Sequence, residues 1–226
     1  MGVMVGQRLD PQAWTAQTMW WSERERSRPL WWPVGAAWFA NDPLDPLPHT
    51  HPDASEAFFV AAGTLQLTVG RTPLRMEAGD YCLVPPDTYH EPLNVGDEDL
   101  CVFVFVAPNW RDRRWKPEGF TEEDFRGVAE VVPTATPGPL PSDALIESAV
   151  LQLPGRANGE PEAYPGSDRA LYVLDGLVDI TVGHLSGRLG THQYLHVMGG
   201  TRHRVAAAGS TPARVLSIRT GDPEPS

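Results

Sequence analysis

The chain has 226 residues, 29 acidic and 18 basic, and its formal net charge of −11 repels phosphate backbones and anionic lipid, which excludes nucleic acid and membrane surfaces as main partners. Hydrophobic residues make up 41% of it, enough for a packed core and too many for wholesale disorder. The 23 prolines and 21 glycines are spread along the sequence, which suits short strands joined by turns better than long helices.

In chain order, residues 1–29 read as a polar extension with scattered tryptophans, helical from Asp10, which caps the start ahead of Pro11. Met1–Asp10 lacks the positive and apolar regions of a signal peptide. No run approaches the roughly 18 apolar residues of a membrane helix, so a cytoplasmic location is expected. Residues 30–108 form a strand-rich domain. Ala57-Phe58-Phe59-Val60 precedes Gly63, Leu65, Leu67 and Val69 alternate with Gln66 and Thr68, Gly79 opens Tyr81–Val84, and Leu100–Val106 is a nearly continuous apolar run. Short strands of this kind indicate an all-β barrel or sandwich. Cys82 and Cys101 lie in such runs and read as buried free thiols, in keeping with a reducing compartment.

Residues 109–141 read as a linker. Its basic and aromatic stretch Trp110–Lys116 is a solvated segment with two anchoring tryptophans, a short helix starts at Thr121, and Pro133–Pro141 is stiff. A second strand-rich domain occupies 142–220, and 221–226 form a disordered tail. All eight tryptophans fall at or before Trp115 and serve as anchors, except Trp38, which leads toward the histidines and is a candidate pocket residue.

The chemistry gathers in His49-Thr50-His51-Pro52-Asp53-Ala54-Ser55-Glu56. Histidines at i and i+2 on a strand share one face, about 6.5–7 Å apart at the backbone, and converge on one ion. Glu56 follows a turn and starts the neighbouring strand, pointing the same way; His90 follows a second turn, Pro85–Tyr89. Three imidazoles and one carboxylate suit a borderline divalent transition metal, whereas Mg and Ca prefer oxygen-rich sites. Phe58 and Val60 share the strand face of Glu56, and Phe103 and Phe105 alternate on a later strand; all four are candidate walls of an apolar pocket.

These residues resemble the two motifs of the cupin family. His49, His51, Glu56 and Gly63 match the first, and Gly79, Pro85, His90 and Asn94 match the second. Eight of ten fixed positions agree; Pro43 and Asp87 stand where the family has glycine, and Asp tolerates the left-handed turn the second position needs. A degraded second copy follows. Aligning Gly63 with Gly176 and Tyr81 with Tyr194 sets Arg169 on Glu56, Tyr164 on His51, Glu162 on His49 and His203 on His90; His90 follows His49 by 41 residues, as His203 follows Glu162. Arg169 repels a metal ion, so the second copy reads as structural, with His192, His196 and His203 as an alternative, unconventional site.

The resemblance implies two double-stranded β-helix (jelly-roll) barrels in a quercetinase-like bicupin, with one divalent metal on His49, His51, Glu56 and His90. Iron(II) is favoured among Fe, Mn, Ni, Cu, Co and Zn. It implies a dioxygenase acting with dioxygen on an enolic, diketone or aromatic small molecule. The alternatives are a non-redox isomerase, cyclase, decarboxylase or lyase, and a non-catalytic binding protein. Glu56 is the expected base, and a homodimer is the expected assembly.

Overall fold

Along Thr64–Val69 the side chains alternate between half-buried and buried, with Leu65, Leu67 and Val69 turned inward, as a period of two dictates. This is a computed structural model, and it describes residues 3–5, 30–32, 49–97, 100–107, 114–115, 128–155, 167–182, 185–197 and 200–220. Every regular element among them is a strand. The helices expected at Asp10 and Thr121, together with Trp38, Pro43, Glu162 and Tyr164, lie outside the described residues.

The chain divides into two compact units, Thr15–Pro133 and Met1–Trp14 with Thr134–Ser226. A first strand, β1 (Val3–Val5), belongs to the second of these. The other unit contains β2 (Leu30–Trp32), β3 (His49–Thr50), β4 (Ser55–Ala62), β5 (Thr64–Val69), β6 (Thr72–Glu77), β7 (Asp80–Val84), β8 (His90–Asn94), β9 (Leu100–Ala107), β10 (Arg114–Trp115) and β11 (Val131–Pro133). They form two five-stranded sheets, ordered β11-β7-β4-β9-β2 and β10-β3-β8-β5-β6, with antiparallel pairing throughout. Phe58, Val60, Leu65, Leu67, Met76, Cys82, Val102, Val104 and Val106 fill the space between them. Each such side chain contributes about 1.5–3 kcal/mol by leaving water. Cys82 is a free thiol, and burial pushes its pKa up to about 12.

The second unit has β12 (Gly138–Pro139), β13 (Ile146–Leu153), β14 (Arg169–Asp175), β15 (Val178–Val182), β16 (Leu185–Leu189), β17 (Tyr194–Val197), β18 (His203–Ala207) and β19 (Ala213–Thr220). Its sheets run β1-β17-β14-β19-β13-β12 and β16-β15-β18, around a core that includes Leu171, Val173, Ile180, Leu195, Val197 and Val215.

Val3–Val5 of the extension adds an edge strand to β17 of the second unit. Within the linker, β10 and β11 complete sheets of the first unit, and β12 joins the second. Prolines at 133 and 139 sit on edge strands, where a missing N–H costs no ladder bond.

Candidate metal centre

Both sheets of the first unit contribute ligands to one cluster. His49 on β3 lies opposite His90 on β8 in the same sheet, and His51 follows directly after β3. Glu56 does not extend that sheet, as the sequence suggested. The turn at Pro52–Asp53 carries the chain across to the facing sheet, so the carboxylate meets the imidazoles from the opposite wall.

All four ligand atoms lie within 4.8 Å of one another, and the residues are only 1–2% exposed. Glu56 Oε2 is the common point, 2.7 Å from His90 Nε2, 3.2 Å from His51 Nε2 and 3.5 Å from His49 Nε2. Burial pushes the Glu56 carboxyl up, but the charge of His90 and the ring contacts of His49, His51 and His90 outweigh it and hold the group well below its ordinary value. Glu56 is therefore ionised.

Backbone groups set this geometry. The Nδ1–H of His90 donates to the Thr88 carbonyl at 2.9 Å, which turns Nε2 toward Glu56. An imidazole nitrogen facing a carboxylate oxygen at 2.7 Å needs a proton or a metal ion between them. Glu56 Oε1, also buried, has no hydrogen-bond partner. An ionised carboxylate with an orphan oxygen and imidazoles aimed at its other oxygen fit a divalent transition ion. The second turn is tied to the first: the Asp87 N–H donates to the His51 carbonyl at 2.7 Å. Asp87 has φ +54°, the left-handed conformation expected where the family has glycine.

Of the candidate pocket residues, Phe58 lies 5.8 Å from the His90 ring, edge-on, and Val60 shares its inward face. Phe103 and Phe105 do not join them. In the β4–β9 register Phe105 pairs with Ala57 and Phe103 with Phe59, whereas Glu56 pairs with Val106 and Phe58 with Val104. Both rings are buried on the face of the sheet that points away from Glu56. They are wall residues of the other side, because Leu100–Val106 is apolar on both faces and its parity is not written in the sequence.

The second unit carries the matching position in altered form. Arg169 is buried; its Nε donates to Ser217 Oγ at 3.1 Å and its Nη1 to His203 Nε2 at 3.2 Å. His203 Nδ1–H donates to the Thr201 carbonyl at 3.0 Å, as His90 does to Thr88. Sequence reading missed these carbonyls, although the spacing Thr-x-His in both copies was a visible signal. The alternative cluster of three histidines does not form. Leu195 and Val197 take the inner face of β17, and His196 points the other way to Asp168, 3.1 Å distant, while His192 bonds to the Tyr172 hydroxyl. Among the described residues, His49, His51, Glu56 and His90 make up the one group able to hold a metal ion.

The family model described as the Cupin domain matches twice, at residues 41–106 and 149–219. No curated protein sequence matches the chain. Among solved structures, the chain is similar to the protein Ylba of E. coli, at 13% identity over 78% of this chain and 72% of that one, with a TM-score of 0.59. It is similar to the salicylate 1,2-dioxygenase of Pseudoaminobacter salicylatoxidans at 13% identity, 77% and 66% coverage and a TM-score of 0.58. The oxalate decarboxylase of Bacillus subtilis follows at 15% identity, 79% and 66% coverage and a TM-score of 0.52. The chain thus spans just under two thirds of the decarboxylase and dioxygenase chains, and at these identities the likeness is one of fold. No helix among the described residues is long and apolar enough to cross a membrane. The two matched segments cover more than half of the sequence and coincide with the two units, one of which holds the three-histidine, one-glutamate group: this chain belongs to the cupin family.

Proposed function

We propose that the protein is a metal-dependent enzyme, a dioxygenase acting on an enolic, diketone or aromatic small molecule at His49, His51, Glu56 and His90. The observation that carries this reading is the convergence of four buried ligand atoms within 4.8 Å, against an inner face formed by Phe58, Val60, Val104 and Val106. Fold likeness to a dioxygenase and to a decarboxylase supports metal chemistry on an oxygen-rich small substrate, without choosing between the two. A divalent ion held there supplies Lewis acidity toward an enol oxygen and, where the ion is redox-active, electrons for dioxygen.

The protein's own part is positional and acid–base. The Thr88 carbonyl keeps His90 in the tautomer that offers Nε2. Glu56 is ionised, with one oxygen toward the imidazoles and the other without a partner. To that second oxygen we assign the role of base, accepting a proton from an enol or α-carbon. Phe58 bounds the site on the His90 side and excludes water there. Iron(II) is the favoured ion, and a homodimer the favoured assembly.

The test is oxygen uptake by the iron(II)-loaded full chain over a panel of enols, β-diketones and hydroxylated aromatics. Substrate-dependent oxygen consumption is expected. Turnover of the same panel under strict anaerobiosis would instead select the non-redox alternative, an isomerase, cyclase, decarboxylase or lyase using Glu56 as base.

A further inference from the structure

The interior histidines of the two units are built alike and differ in what faces Nε2. In each, Nδ1–H donates to the carbonyl of the threonine two residues before, at 2.9 Å for His90 and 3.0 Å for His203. In each, Nε2 then faces a side chain in the first two residues of an interior strand, β4 or β14. For His90 that side chain is Glu56, at 2.7 Å; for His203 it is Arg169, at 3.2 Å. A carboxylate facing an imidazole nitrogen needs a proton or a metal ion between them. A guanidinium facing the same nitrogen is itself a cation and donates an N–H to it. Ser217, on β19, accepts a second N–H at 3.1 Å and holds the guanidinium plane in place.

We propose that the Arg169 guanidinium is the second unit's built-in replacement for a metal ion. It keeps His203 neutral and oriented, so that this barrel retains the architecture of a metal cupin without a metal. The charge logic of the two barrels is the same, with the cation covalently attached in one and borrowed from solution in the other. Two consequences follow. The chain binds one ion rather than two, and the barrier to a second site is the charge at position 169 rather than a lost scaffold. This rests on the metal reading of the first site only for the comparison; the contacts of Arg169 are independent of it.

The experiment is histidine-ring NMR of the full chain during titration with zinc(II), a diamagnetic ion that shifts the resonances of the rings it binds. In the wild-type chain the first equivalent is expected to shift the signals of His49, His51 and His90 and leave those of His203 in place. In Arg169→Glu, which sets a carboxylate beside His203 as Glu56 sits beside His90, further zinc is expected to shift His203. Adding His203→Ala to that variant should leave the remaining interior signals of the second unit, such as those of His196, unaffected by the extra ion. A zinc-induced shift of wild-type His203 alongside the first site, or its absence in a folded Arg169→Glu chain, overturns the proposal.

Where Arg169→Glu does not fold, Arg169→Met serves. Removing a cation at this distance should raise the His203 pKa by about one unit or more, while Arg169→Lys holds it. An unchanged His203 pKa in Arg169→Met overturns the proposal equally. Failure of the first equivalent to reach His49, His51 and His90 is a different result, and it counts against the metal reading of the first barrel.

Discussion

The Asp87 N–H donates to the His51 carbonyl at 2.7 Å, so the turn that delivers His90 is fastened to the segment that delivers His51. Two ligands far apart in sequence are thereby positioned as one unit. Asp87 holds this bond from a left-handed backbone, φ +54°, which glycine adopts freely and a β-branched residue does not. Asp87→Gly is expected to leave stability and metal affinity nearly unchanged. Asp87→Val is expected to cost about 1–3 kcal/mol of stability and to weaken metal binding as the two ligands lose their common frame. Thermal unfolding with and without metal reads both effects.

Glu56 supplies the negative charge of the site and the orphan oxygen Oε1. Glu56→Gln keeps the shape and removes the charge, and metal affinity should fall at least about tenfold, equivalent to about 1.4 kcal/mol. Calorimetric titration of the chelated protein with iron(II) or manganese(II) measures this. Equal affinity in the variant would mean that the carboxylate is not a ligand.

Acid should act on the site in two steps. Imidazoles must be unprotonated to bind a metal, so affinity falls as pH drops, and the ion leaves first. The Glu56 carboxyl, with burial overcome by the facing imidazoles, has a folded-state pKa below its ordinary 4.5. Its contribution to stability is therefore present above that ordinary value and is lost only as pH falls through the lower folded value. Metal retention by dialysis and stability by denaturant titration, both followed from pH 7 to 3, should show metal loss preceding the acid loss of stability.

The opposite faces of β9 and its neighbour β4 separate packing from function. Phe105→Ala empties a fully buried position on the face away from Glu56 and should cost about 3–5 kcal/mol while leaving metal affinity intact. Phe58→Ala removes the ring 5.8 Å from His90 and should alter metal affinity or turnover as well as stability. Equal loss of affinity in both variants would contradict the register.

The ligands were legible in the sequence because their signals are local: two histidines at strand spacing, a turn, a glutamate, and a second turn before His90. The left-handed turn at Asp87 was legible for the same reason, since a short polar side chain stood where glycine was required. The faces of Phe103 and Phe105 were not, because a strand buried on both sides shows no alternation. That Glu56 faces the histidines from the opposite sheet depends on where the chain turns a barrel corner, a tertiary fact. The docking of Val3–Val5 on β17 rests on backbone pairing between segments nearly two hundred residues apart, for which three residues carry no signature. The guanidinium of Arg169 was foreseen as hostile to a metal, but its bond to His203 Nε2 had to be seen.

The central claim is that His49, His51, Glu56 and His90 bind one divalent transition ion. Elemental analysis of the full chain purified without added metal, beside His51→Ala/His90→Ala, tests it most directly. The account predicts close to one ion per wild-type chain and almost none in the double variant. An ion that persists in the double variant at the wild-type level would contradict it.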